Sequence, residues 1–154
     1  MIRRLLALTL IFLAGFLSHD LYGHFLDPGP VNVQGPHNRI QENQVELQGD
    51  KVVLHVPQAE FAAFTPTHSM DPVIDSDSHA IEITPKSEED VHVGDIVSYK
   101  STYSNSIIIH RVIGRGRDEK GTYFVMKGDN NNEADPGKVR FEQIESIGGD
   151  IILI

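Results

Sequence analysis

Beyond residue 26 the chain has no long run of apolar residues at a 3.6-residue period; it has short extended segments broken by Gly, Pro, Asn and Asp. Such a chain cannot bury an apolar stripe along long helices, so it must build its core from strands whose side chains alternate between two faces. Val45-Glu46-Leu47-Gln48 and Val52-Val53-Leu54-His55-Val56 flank Gly49-Asp50, which predicts a tight hairpin. Further strands are expected at 80–84, 95–100, 106–113, 121–127 and 150–154. The expected fold is mostly β, a short-stranded, partly open β-barrel or folded sheet over residues 43–154, preceded by one N-terminal hydrophobic helix. There are no internal repeats.

The amino terminus has a different character. Arg3 and Arg4 precede an unbroken low-polarity run from Leu5 to Leu17. At about 1.5 Å per residue that run spans roughly 20 Å, short of the ~30 Å hydrocarbon core of a bilayer. A cleaved secretory signal fits the two arginines, but no clean small-x-small cleavage site follows Leu17. A buried soluble helix is the plainest alternative. A membrane anchor over residues 1–26 fits best, the helix continuing through residues 18–26 with Tyr22, His24 and Phe25 at the interface. With Arg3 and Arg4 the only nearby basic residues, the body is expected on the extracytoplasmic side of a single-pass protein. Residues 27–42, with Pro28, Gly29, Pro30, Gly35 and Pro36, read as a spacer.

Charge and composition narrow the chemistry. Residues 1–26 carry a net +1 and the whole chain −9, leaving −10 for residues 27–154. A body that acidic repels phosphates, so no nucleic-acid partner is expected. The 154 residues hold no cysteine, which excludes disulfides, thiolate catalysis and cysteine-ligated zinc. No cofactor or metal is expected.

Three segments carry chemistry. Ser69 lies in Thr65-Pro66-Thr67-His68-Ser69-Met70-Asp71-Pro72, where two prolines hold the backbone extended or turned and present a hydroxyl rigidly. A serine hydroxyl is a poor nucleophile without a base in hydrogen-bond reach. The adjacent His68 is expected to point away from Ser69, because successive side chains of extended backbone face opposite sides. His110 lies in the apolar strand Ile107-Ile108-Ile109-His110-Arg111-Val112-Ile113, sharing a face with Ile108 and Val112. A histidine buried there needs a partner, and its ordinary pKa of about 6.5 suits a general base. The loop Gly128-Asp129-Asn130-Asn131-Asn132-Glu133-Ala134-Asp135 offers two carboxylates, Asp129 and Asp135, to orient an imidazole. A calcium loop is a poorer reading, since Ala134 and Arg140 stand where the EF-hand needs Gly and Glu.

Taken in order, these segments resemble the signal peptidase I family in its archaeal and endoplasmic-reticulum branch. The Ser-Met-x-Pro nucleophile box is matched by Ser69 to Pro72, and the histidine base before Arg-Val by His110-Arg111-Val112. The Lys-Gly-Asp-Asn-Asn segment is matched by Lys127 to Asn131, with Asp135 six residues after Asp129; Gly94-Asp95-Ile96-Val97 is similar to the family's Gly-Asp box. The resemblance covers roughly residues 61–145. It implies a Ser nucleophile with a His general base, Asp135 as the acidic partner of His110, Asp129 in a supporting role, and Thr67 as an oxyanion donor. Two departures stand out: His68 replaces a small residue before the nucleophile, and the acidic stretch 75–93 separates the nucleophile box from the Gly-Asp box.

The function expected from this resemblance is a membrane-anchored serine endopeptidase that cleaves signal peptides from exported preproteins. The alternative is a non-catalytic, membrane-tethered β-domain that binds a protein partner.

Overall fold

The computed structural model describes residues 33–153, and among them the regular structure is mostly β, with three single-turn 3-10 segments. The expected N-terminal helix and anchor, residues 1–26, lie outside the described residues. Among the described residues no helix is long and apolar enough to cross a membrane.

The first two strands, β1 (Val45–Gln48) and β2 (Lys51–Leu54), form a separate antiparallel hairpin. Its register, Gln48 opposite Lys51, leaves Gly49-Asp50 as a two-residue turn, and Gly49 has a φ of +64°. A left-handed residue matches the twist of a tight hairpin, which is why glycine stands there.

The remaining strands are β3 (Ala59–Ala63), β4 (Ser78–Ile83), β5 (Ile96–Lys100), β6 (Ile107–Asp118), β7 (Gly121–Lys127) and β8 (Ile144–Leu153). They make one antiparallel sheet in the order β3-β4-β8-β5-β6-β7. The expected strand at 150–154 is the end of a longer β8, and the one at 106–113 is the first half of β6. The acidic stretch 75–93 contributes β4, whose Glu82 accepts hydrogen bonds from Ser98 (2.7 Å) and Ser146 (2.7 Å). Residues 34–40, inside the expected spacer 27–42, are bonded to the domain: the His37 N–H and the Arg39 guanidinium both donate to Asp95, and Ile40 is buried.

Both faces of the sheet carry apolar side chains, as the isoleucine run of β6 predicts. One face holds Val97, Tyr99, Val112, Phe124, Met126 and Ile147; the other packs Met70 and Ile74 against Ile96 and Ile109. Strand β7 alternates strictly, with Thr122, Phe124 and Met126 buried and the residues between them half-buried. Burying side chains the size of Phe124 and Met126 stabilises the sheet by about 2–3 kcal/mol each. The pairing of β6 with β7 slips by one residue between Val112 and Gly114, a bulge that leaves Ile113 exposed.

Candidate active site

His110 is positioned by register. It sits opposite Val97 on β5, while its neighbour Arg111 sits opposite Ile96 and, across β6–β7, Lys127. The two side chains therefore leave opposite faces of the sheet. Strand β7 ends at Lys127, and the loop that follows serves both faces.

On the first face, His110 is buried and its Nδ1 lies 2.6 Å from Asp135 Oδ2. The Asp135 N–H donates to the Met126 carbonyl (2.8 Å), which ties the end of the loop back to β7. A carboxylate accepts only, so the imidazole proton belongs on Nδ1 and the lone pair on Nε2. Asp135 Oδ2 also accepts the Tyr99 hydroxyl at 2.7 Å. Burial and this bond to a carboxylate push the Tyr99 phenol far above its ordinary ionisation range, so it stays a neutral donor.

On the opposite face, Asp129 is held by Arg111 in a two-pronged ion pair, Nε to Oδ1 at 2.7 Å and Nη2 to Oδ2 at 2.6 Å. Both side chains are nearly buried, and Arg111 Nη1 also donates to the Gly94 carbonyl (2.7 Å). Asp129 is thus committed to Arg111 and Asp135 to His110. The two aspartates of this loop therefore diverge; among the described residues there is no group of three or more His, Cys, Asp or Glu that could hold a metal ion.

The Ser69 segment meets the loop between these two pairs. The Asn130 N–H donates to the Ser69 carbonyl (2.9 Å) and the Asn130 side-chain amide to the His68 carbonyl (2.9 Å). Met70 is buried with Ile74 and Ile96, and its sulfur accepts the Asp129 N–H at 3.4 Å. The nucleophile candidate is therefore clamped from both sides, by an anchor one residue on and a carbonyl clasp one residue back. Gly128 makes the approach possible. A Cβ there would stand 2.5 Å from the Ser69 carbonyl oxygen and 2.9 Å from His110 Nε2, so the space between these two atoms exists only because residue 128 has no side chain.

The Ser69 hydroxyl is hydrogen-bonded to Thr67 Oγ1 at 3.2 Å, and no hydrogen bond joins it to His110. Catalytic hydrogen bonds are commonly loose until substrate excludes water. Beside Ser69 opens a cleft of about 290 Å³ whose walls include Phe64, Met70, Ile74, Ile107 and Ile109. His68 departs from the extended conformation expected for it. Its φ is +59°, its side chain is exposed, and Nδ1 pairs with Asp71 Oδ2 at 3.1 Å. The Asp71–Pro72 peptide is cis.

Asp95 of the Gly-Asp box is fully buried and accepts the N–H groups of His37 (2.8 Å) and His92 (2.8 Å) together with Arg39. It organises the turn before β5, and its carboxylate makes no hydrogen bond to Ser69 or His110. Tyr99 was not foreseen from the sequence. Its signal was available: alternation in Ile-Val-Ser-Tyr-Lys places it on the Val97 face, and a buried phenol needs a partner.

No family model, curated protein or solved structure matches the chain.

Proposed function

We propose that the protein is a membrane-anchored serine endopeptidase of the signal peptidase I type, acting on preproteins that carry signal peptides. The observation that carries this reading is the pairing of His110 Nδ1 with Asp135, which leaves Nε2 facing the gap at Gly128 where the Ser69 segment crosses. In the proposed reaction His110 takes the Ser69 proton as the serine oxygen attacks the scissile carbonyl. The acyl-enzyme forms as His110 returns that proton to the leaving amine; Asp135 holds the imidazole throughout. Thr67 and the Ser69 N–H are the proposed oxyanion donors. The apolar part of the cleft beside Ser69, built from Phe64, Met70, Ile74 and the β6 isoleucines, supports selection of small or apolar side chains near the cut. The proposed domain shape is a partly open, folded sheet, with residues 1–26 as a single-pass anchor and the site on the extracytoplasmic side.

A second reading, a non-catalytic β-domain that binds a protein partner, draws support from one observation: the Ser69 hydroxyl pairs with Thr67 and not with His110. One experiment separates the two. The full chain in liposomes is given a preprotein and, separately, a serine-directed phosphonate. Cleavage and covalent labelling that both vanish in Ser69→Ala support the peptidase; cleavage that persists in Ser69→Ala, or neither activity in the native chain, removes it.

A further inference from the structure

One tyrosine is built into the His110–Asp135 pair. Tyr99 sits on β5 two residues from Val97, the residue opposite His110, so Tyr99 and His110 are diagonal neighbours on one face. Tyr99 is 3% exposed and belongs to the same apolar cluster as Val112 and Phe124. Its hydroxyl and His110 Nδ1 converge on the same oxygen of Asp135, at 2.7 and 2.6 Å.

We infer that Tyr99 is a positioning residue: it fixes Asp135 against His110 and, by sharing Oδ2, limits how strongly the carboxylate holds the imidazole proton. The inference rests on the proposed role of His110 as general base. The physical reason is the charge on Oδ2. A second donor on that oxygen spreads and neutralises part of the carboxylate charge, so an imidazolium gains less from it.

From β5, Tyr99 and the apolar Val97 lie beside His110; from the loop after β7 come Asp135, the bare backbone of Gly128 and the neutral Asn131 side-chain amide at the Gly128 gap; Ser69 contributes its carbonyl oxygen through the same gap. Arg111 and Asp129 lie across the sheet and neutralise each other. Removing the Tyr99 hydroxyl therefore changes one donor on one oxygen.

The test is the titration of the His110 ring, followed by NMR on the full chain in detergent micelles and assigned with His110→Gln. In Tyr99→Phe, which keeps the buried ring, the His110 pKa should rise by about 0.5 unit or more, and the acid limb of cleavage should move up with it. A residue that served packing alone would leave the titration where it was, and an unmoved or lowered His110 pKa overturns the inference. If Tyr99→Phe does not fold, the native chain is made with 3-fluorotyrosine, whose more acidic phenol is a stronger donor. The His110 pKa should then fall, and no change overturns the inference. Failure of the peptidase reading is seen separately, as cleavage that survives Ser69→Ala, while the titration result stands either way.

Discussion

Arg111 and Asp129 form a two-pronged ion pair on the face of β6 opposite His110, so adjacent residues of one strand each hold a different aspartate of one loop. The two carboxylates do different work, and their replacement should fail in different ways. Asp129→Asn leaves Arg111 buried and without its counter-charge, and is expected to lower stability by about 3–5 kcal/mol, read as a fall in the urea midpoint. Asp135→Asn should keep most of the stability yet reduce turnover of a preprotein at least 100-fold, because the imidazole loses its tautomer and orientation.

Gly128→Ala should be a severe change for its size. The added methyl falls between the Ser69 carbonyl and His110 Nε2, and the Ser69 segment has to move away from the base. A displacement near 1 Å costs on the order of 100-fold in rate. A melting curve should show a modest loss of stability and a preprotein assay a much larger loss of cleavage. Native turnover in Gly128→Ala would mean that His110 and Ser69 do not act across this gap.

His68 holds a left-handed backbone conformation without being glycine. His68→Val should therefore cost roughly 1–2 kcal/mol, since a β-branched residue is poorly tolerated there. His68→Gly relieves the strain, loses an exposed contact with Asp71, and should leave stability within about 1 kcal/mol of the native chain. If the chain is the proposed peptidase, cleavage should survive in His68→Gly, which would exclude His68 as the base.

Acid stability should report on the far end of the same hairpin. Asp118 accepts hydrogen bonds from Arg140 and Lys138, which hold its carboxyl well below the usual carboxylate range. Its folded state binds fewer protons than its unfolded state. The contribution is therefore present above the unfolded value of about 3.9 and is lost as pH falls below it toward the folded one. Asp118→Asn should flatten the loss of stability between pH 5 and 2, measured by urea unfolding across that range; an unchanged acid limb would show that the network contributes nothing.

How much of this the sequence carried depends on the range of the interaction. Short extended runs between turn residues placed β5, β6 and β7 at 95–100, 106–113 and 121–127; β7 buries a strict alternate set, whereas β5 and the first half of β6 are buried on both faces. The strand Ala59–Ala63 was invisible: Ala-Glu-Phe-Ala-Ala has little β propensity, and pairing with β4 holds it at the sheet edge. The docking of residues 34–40 was hidden for a related reason, since Asp95 lies more than fifty residues away and nothing local to His37 or Arg39 announces it. In the site, the spacing of the loop made both aspartates candidates for His110. The resemblance favoured Asp135; the physical reason is the facing of His110 and Arg111, fixed by their register with Val97 and Ile96. Tyr99 shows the opposite case, a side chain whose face was readable and whose partner was not.

The extra residue at Ile113 divides the β6–β7 hairpin into two lengths that keep separate count. Inward of it, register sets the spacing between His110, Arg111 and the loop that serves them; outward of it, Gly114 to Asp118 pair with Gly121 to Val125 on their own schedule. The exposed Glu119-Lys120 tip is therefore a place to graft a reporter peptide or an affinity handle, because a change in length there lies beyond the bulge and leaves the register of His110 and Arg111 untouched.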